Sequence, residues 1–288
     1  MNFVSYRELI QDTDNLCSRN PQWRHLAGVV GIPRSGMIPA TQIAMRYNLP
    51  LVDLHTFLNM SGRFYPSREG QQYGSRTGSK GILLVDDSSW SGNSLLSALH
   101  EITIHPLLNH LSIEPVVIYG NPESSQYCYR QLASPRIFEW NWTRNAYLQE
   151  TMLDLDGIFC DDPNPHRTRD IAYYTEWIQN PVPRHLPTQK VRAIISARLE
   201  RYRPETEAWL AKHGIQYQEL QLLDCSEEER HLGNLHAEHK VSWFSNSNSQ
   251  LFIESNKEQA SYIYRRVGKS VFCPATNYRE VIFFKGSE

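Results

Sequence analysis

Two short acidic runs carry most of the chemistry legible in this chain. The first is Gly81-Ile82-Leu83-Leu84-Val85-Asp86-Asp87-Ser88-Ser89-Trp90-Ser91-Gly92-Asn93-Ser94, an apolar strand that ends in paired carboxylates and turns through small residues into a helix. Carboxylates at the C-terminal end of a buried strand accept hydrogen bonds from vicinal hydroxyls or hold magnesium, and the turn after them offers backbone N–H groups to a phosphate. The second run is Met152-Leu153-Asp154-Leu155-Asp156-Gly157-Ile158, again an apolar strand followed by acids, here spaced by two. On an extended chain end that spacing turns both carboxylates to one side of a site, where magnesium screens their repulsion.

Roughly 50 residues before Asp86, the apolar run 28–32 leads into Pro33-Arg34-Ser35-Gly36 and then a helical stretch over 39–47. Arg34 offers a charge-assisted contact to an anion, with the amides of Ser35 and Gly36 completing a cradle. Between this loop and the acidic run lies 61–80, rich in Gly, Ser and Arg, longer than compact domains leave unstructured without a reason. It reads as a mobile lid bearing Arg63, Arg68, Arg76 and Lys80, placed to close over a diphosphate.

Loop, basic segment and acidic run, in this order, resemble the type I phosphoribosyltransferases. The resemblance implies 5-phosphoribosyl pyrophosphate (PRPP) as donor. It puts Asp86 and Asp87 on the ribose hydroxyls and any associated Mg2+, Ser88, Ser91, Gly92, Asn93 and Ser94 around the 5′-phosphate, and Arg34, Ser35 and Gly36 at the pyrophosphate. Trp90 departs from the family, which places a small residue there, and bears on which acceptor the site takes.

The second run resembles motif one of the haloacid dehalogenase superfamily. Further pieces follow in family order: Ile194-Ile195-Ser196-Ala197-Arg198, Lys240, and Leu251-Phe252-Ile253-Glu254-Ser255. By resemblance, Asp154 attacks phosphorus, Asp156 protonates the leaving oxygen, Ser196 at a strand end binds phosphoryl oxygens, and Lys240 neutralises the intermediate. Asp154, Asp156 and Glu254 would hold Mg2+. Ser255 stands where the family commonly has Asp. One helix is predicted between the first two pieces, over 168–179, which leaves little room for a cap over the phosphatase site.

These runs need two scaffolds. Short apolar runs recur between helical patterns, which predicts α/β architecture with two doubly wound, mainly parallel sheets. A length of 288 residues suffices for two cores, and the boundary is placed near Tyr147, giving 1–146 and 147–288. Helices are predicted from Pro204 to before Gly214, and from a cap at Ser255 or Asn256 to before Gly268.

The formal charge of -2 and the lack of a long basic run argue against nucleic acid as a partner. Five cysteines without C-x-x-C spacing suggest neither a zinc site nor a disulfide framework. No apolar run is long enough for a membrane span, and a cytoplasmic protein is expected. The resemblance also allows a homodimer.

Joined in one chain, a transferase that delivers ribose 5-phosphate and a phosphatase that removes a 5-phosphate make consecutive steps. The pairing is similar to bacterial systems that build ribofuranose into glycans. The acceptor is then a glycan, a lipid-linked sugar or a nucleobase. The competing reading is a PRPP or nucleotide sensor without turnover, attached to a phosphatase.

Overall fold

The structure is a computed structural model that describes residues 1–64, 81–121, 127–230, 234–274 and 281–286. Most of the expected lid, including Arg68, Arg76 and Lys80, lies outside the described residues. The chain divides into two compact units, 2–136 and 137–288, with Met1 grouped with the second. Among the described residues no helix is long and apolar enough to cross a membrane.

The first unit runs β1 (Asn2–Val4), α1 (Tyr6–Arg19), β2 (Gly28–Gly31), α2 (Met37–Tyr47), β3 (Leu51–Asp53), α3 (Leu54–Asn59), β4 (Gly81–Ser89), α4 (Asn93–Ile104), β5 (Ser112–Gly120) and β6 (Cys128–Gln131). Its main sheet has five strands in the order β3-β2-β4-β5-β6, all parallel. Val30, Leu84 and Val117 from three strands meet Leu95, Ala98 and Ile102 of α4 and Phe57 of α3 in one buried cluster. Each of the Val, Leu, Ile and Phe side chains among them stabilises the unit by about 1.5–3 kcal/mol relative to exposure. This cluster anchors the strand whose end carries Asp86 and Asp87.

Strand β7 (Arg136–Phe138) stands at the division in sequence. The second unit continues with β8 (Met152–Leu153), α5 (Ile171–Gln179), β9 (Val191–Leu199), α6 (Arg203–Lys212), β10 (Tyr217–Leu223), α7 (Glu227–Arg230), α8 (Leu235–Ser245), β11 (Leu251–Ile253), α9 (Lys257–Val267), β12 (Ser270–Cys273) and β13 (Ile282–Phe284). Six strands are ordered β10-β9-β8-β11-β12-β13, parallel except for β13 on β12. Met152, Ala193, Ile195, Phe252 and Val271 pack beneath Val241 and Phe244 of α8 and Ala260 and Ile263 of α9. The helices predicted from Pro204 and from Asn256 are observed, and the one predicted over 168–179 is α5, which starts only at Ile171 because Asp170 caps it through the Tyr173 amide. Pro204 lies in the first turn of α6, Asn256 caps α9 through the amides of Glu258 and Gln259, and Gly268 ends α9 at φ 74°.

Two strands outrun their apolar sequence. β4 continues to Ser89 because it stays in register with β5 from Gly81 opposite Ser112 to Ser89 opposite Gly120. β9 continues to Leu199, which pairs with Leu223 of β10. Ser196 therefore lies inside a strand and not at its end. Residues 137–146 go with the second unit, where Trp142 packs edge-on against Phe272 (centroids 5.8 Å) and beside His185 (5.2 Å).

Candidate functional site

Each unit has one place where the chain reverses its direction of winding, and the acidic runs fall on these two places. In the first sheet β2 sits between β3, which follows it, and β4, to which the chain later returns. In the second, β8 sits between β9 and β11. In open parallel sheets ligands bind in the crevice outside the carboxyl ends of strands at such a switch point, because the two following connections diverge there and leave a gap.

In the first unit that gap lies between the loop after β2 and the end of β4. Gly36 is buried, and a Cβ there would sit 2.5 Å from the Ile32 carbonyl oxygen, 2.9 Å from that of Val85 and 3.0 Å from the Asp86 Cα. Its φ of -59° suits any residue, so glycine is required by the close approach of loop and strand. Arg34 is exposed on the same loop, after a cis Pro33–Arg34 peptide, and Ser35 is half-buried. Gly36→Ala is expected to cost about 1–3 kcal/mol through overpacking, read as a lower urea midpoint for unfolding of the first unit. A variant as stable as wild type would mean that the loop yields freely.

Asp86 and Asp87 are 7% and 1% exposed. The Asp87 amide donates to Asp86 Oδ1 at 2.9 Å. Burial, then the adjacent Asp87, push the Asp86 carboxyl up to about 8. A pair in this state accepts hydroxyl hydrogens or takes a divalent cation in exchange for a proton. Ser88 and Ser89 belong to β4, so the turn proper is 90–92, with Gly92 at φ 81°. Ser89 Oγ accepts the Gly92 amide (2.9 Å) and Ser91 Oγ that of Asn93 (3.4 Å), which already satisfies two helix-start donors. Ser94 is exposed in the first turn of α4, where no side chain caps the helix.

Sequence reading missed Arg136. It is 8% exposed, donates from Nη2 to the Ser89 carbonyl at 2.6 Å, and its charge interacts with that of Asp87. The Trp90 ring, 57% exposed, has the Arg136 guanidinium 5.5 Å from its centroid. The indole thus points outward at the rim and does not fill the interior of the turn.

In the second unit Asp154 follows β8, its amide bonded to the Ile253 carbonyl at 2.9 Å. Lys240, on α8 and 2% exposed, donates to Asp154 Oδ2 (2.7 Å), Glu254 Oε2 (2.7 Å) and Gln259 Oε1 (3.1 Å). Burial, then Glu254, hold Asp154 well above the usual carboxylate range, while Lys240 opposes them. Burial alone would lower Lys240, but the charges of Asp154 and Glu254 outweigh it and raise it.

Asp156 has a different partner. Arg198, fully buried, donates to Asp156 Oδ1 from Nη2 (2.7 Å) and Nε (3.0 Å), and Nε also lies 3.3 Å from Oδ2. Trp177 covers this guanidinium at 5.2 Å, and Thr206 Oγ1 accepts from its Nη1 at 3.3 Å. Ser196 is fully buried, and its Oγ accepts the Arg198 amide at 3.2 Å. The signal for Arg198 was its spacing of two from Ser196 on one strand, which puts both side chains on the same face.

A cavity of about 490 Å³ opens here, lined among others by Asp154, Asp156, Asp162, Lys240, Ser255 and Asn256. Asp162, absent from the sequence reading, is pushed up to about 6 by burial and then by Asp156. Asp154, Asp156 and Lys240 converge on this cavity; Ser196 and Glu254 are not in its wall.

The set Asp154, Asp156 and Glu254 does not fit a magnesium ion. Magnesium asks for oxygens in octahedral array, usually one or two carboxylates plus waters and ligand phosphates. Asp156 is spent on Arg198, while Glu254 is fully buried with Oε2 on Lys240 and Oε1 accepting the Asn256 amide at 2.9 Å. Ser255 Oγ donates to the Asp156 carbonyl oxygen at 3.1 Å, so a hydroxyl hydrogen occupies that acceptor. Among the described residues no three His, Cys, Asp or Glu side chains gather as a metal site.

No family model and no curated protein matches the chain. Among solved structures, the purine phosphoribosyltransferase of Pyrococcus horikoshii Ot3 is similar at 16% identity, over 48% of this chain and 92% of that one, with a TM-score of 0.34. The Helicobacter pylori xanthine-guanine-hypoxanthine phosphoribosyltransferase is similar at 17% identity, over 49% and 91%, with a TM-score of 0.35. Orotate phosphoribosyltransferase from Aeropyrum pernix is similar at 19%, over 44% and 77%, with a TM-score of 0.29.

Proposed function

We propose that residues 2–136 transfer 5-phosphoribose from PRPP to an acceptor and that residues 137–288 act on the 5-phosphate of the product. The observation that carries the first half is the Asp86–Asp87 pair at the carboxyl end of β4, at the switch point, with the loop after β2 pressed against it through Gly36. Magnesium arrives with PRPP as part of the substrate, and a desolvated carboxylate pair suits either the ribose hydroxyls or that ion. In the transfer an acceptor oxygen or nitrogen bonds to the anomeric carbon. The bond from that carbon to pyrophosphate breaks with its electrons on the leaving group, and the acceptor proton passes to solvent or a base. Positive charge on the sugar and negative charge on pyrophosphate grow together, so charges fixed before reaction lower the barrier. Arg34 is the residue of the β2 loop suited to the pyrophosphate. Trp90 at the rim is suited to stack on the acceptor, a nucleobase or the face of a sugar.

For the second half, Asp154 at the end of β8 and facing the cavity is the candidate nucleophile toward phosphorus, with Lys240 beside it. Asp156 serves the departing oxygen only after its pairing with Arg198 opens, because both carboxylate oxygens now lie within hydrogen-bond distance of the guanidinium. That pairing favours phosphate binding over fast turnover.

The test incubates the full chain with PRPP, magnesium and a panel of nucleobases and ribose-accepting glycans, following pyrophosphate and inorganic phosphate separately. Asp154→Asn is expected to release pyrophosphate at the wild-type rate and to leave a phosphorylated product. Pyrophosphate release that vanishes in this variant, with its fold intact, would sink the assignment of separate sites. Tight PRPP binding without product from any acceptor would favour a sensor.

A further inference from the structure

Arg230, at the end of α7, is 6% exposed and lines the Asp154 cavity. Its guanidinium is fixed on two sides: Nε donates to the Ala197 carbonyl at 3.0 Å and Nη2 to the Tyr174 hydroxyl at 3.1 Å, with the Tyr174 ring 4.8 Å away. Nη1 is buried and has no hydrogen-bond partner among the described residues. The other buried cations around this cavity are neutralised, Arg198 by Asp156 and Lys240 by Asp154 and Glu254. Among the described residues no carboxylate lies within 4.0 Å of Arg230. A buried cation without a counter-charge is costly, as is a buried donor left unsatisfied, and an anion entering from the cavity relieves both at once.

We propose that Arg230 anchors a phosphoryl oxygen of a phosphomonoester bound in this cavity, whose wall it shares with Lys240. This deepens the reading of residues 137–288 as acting on a 5-phosphate and rests on it. A phosphoryl dianion suits the site better than a carboxylate. It has three terminal oxygens in a tetrahedral array, so one meets Arg230 Nη1 while the others remain for Thr168 and Asn256, which line the same space. Two anchored nitrogens leave Nη1 little freedom, so the arginine is oriented before the ligand arrives and little ordering entropy is lost on binding.

The experiment titrates ribose 5-phosphate, and separately inorganic phosphate, onto the full chain by calorimetry, in an Asp154→Asn background so that nothing is turned over. Arg230→Gln and Arg230→Lys are compared there. Because the first unit is expected to take ribose 5-phosphate as well, the readout is the loss of one binding equivalent. Loss of a charge-assisted hydrogen bond predicts that this equivalent weakens about 10- to 150-fold in Arg230→Gln, and less in Arg230→Lys, which keeps the charge. The second site stays unchanged. Circular dichroism confirms that both variants fold, and a ribose 5-phosphate-induced rise in Tm that survives in Arg230→Lys but not in Arg230→Gln supports the assignment independently. Wild-type stoichiometry and affinity in a folded Arg230→Gln would overturn it, as would the absence of a second saturable equivalent in the Arg230-intact protein. Should that equivalent depend on Arg230 while the wild type hydrolyses no phosphomonoester, the anchor stands and the hydrolysis reading falls. If Arg230→Gln in an Asp154-intact chain hydrolyses the product with wild-type KM, the anchor falls and hydrolysis stands.

Discussion

Lys240→Met is expected to destabilise the second unit by about 3–5 kcal/mol, the loss typical when one partner of a buried ion pair is removed. The ammonium sits 2.7 Å from both Asp154 and Glu254, all three side chains being buried, so the substitution strands two carboxylates away from water. The loss should depend on pH with a definite sign. Asp154 has a folded-state pKa well above the ordinary 3.8, so its contribution to stability is fully present below that value and is lost as pH rises through the folded one. Lys240 lowers that folded value, and its removal raises it further. The deficit of the variant is therefore smallest near pH 4 and grows as pH rises, so pH 4 and pH 9 are compared. Urea unfolding of both proteins at the two pH values measures it, and Lys240→Met/Glu254→Gln should recover part of the loss by removing one stranded charge. A loss under about 1 kcal/mol, the scale of an exposed pair, or one equal at both pH values, would mean that water reaches these carboxylates.

The acids of both runs were legible because they follow apolar runs directly. A run such as Ile82-Leu83-Leu84-Val85 is buried within the sheet, and Asp86-Asp87 follow it directly, although pairing with β5 carries β4 past them to Ser89. The same holds for Asp154 after Met152-Leu153. The helices opening near Pro204 and Asn256 were legible for the same local reason, a start signal before the helix and a glycine after it. What could not be read was who satisfies whom. The apolar run stops at Ser196 and predicts a strand end there, but pairing with β10 carries β9 on to Leu199, and that pairing is a tertiary fact. Arg198 and Arg230 stand 42 and 33 positions from the groups they bind, Asp156 and the Ala197 carbonyl, and no periodicity encodes such partners. Arg136 reaches back 47 positions to Ser89.

The two units solve a common problem differently. Each gathers acids at a switch point, where strand ends expose little protein to neutralise them. In the second unit the compensation is internal, since Arg198 and Lys240 are already bound to the acids. In the first, burial and the neighbouring Asp87 leave the Asp86 carboxyl frustrated, pushed up to about 8. An internally neutralised cluster is stable and has little call for a cation; a frustrated one gains from a ligand that supplies positive charge or hydroxyl donors. Under the proposed function, the second cluster then suits an anion and the first becomes favourable when Mg2+ and PRPP fill it.

That frustration predicts a trade between stability and activity for Asp86→Asn. Pyrophosphate release in the presence of PRPP and magnesium is expected to fall about 100- to 1,000-fold in kcat/KM, the range seen when a fixed electrostatic contact to a transition state is removed. The same variant should be more stable than wild type at pH 8. Asp86 has its folded-state pKa raised from 3.8 to about 8. Its contribution to stability is full below pH 4 and is lost as pH rises from there through 8, so the amide, which carries no charge, removes a penalty that grows over that window. The gain in Tm should be several degrees at pH 8 and vanish toward pH 4. Binding of magnesium-PRPP to the wild type must displace the Asp86 proton below pH 8, so its KM should fall as pH rises from 6.5 to 8.5, with uptake of the ligand releasing protons to the buffer. Calorimetry in buffers of different ionisation enthalpy counts those protons. Asp86→Asn should abolish both the release and the KM slope, and a variant that loses activity while keeping the slope would move the titrating group elsewhere than the end of β4.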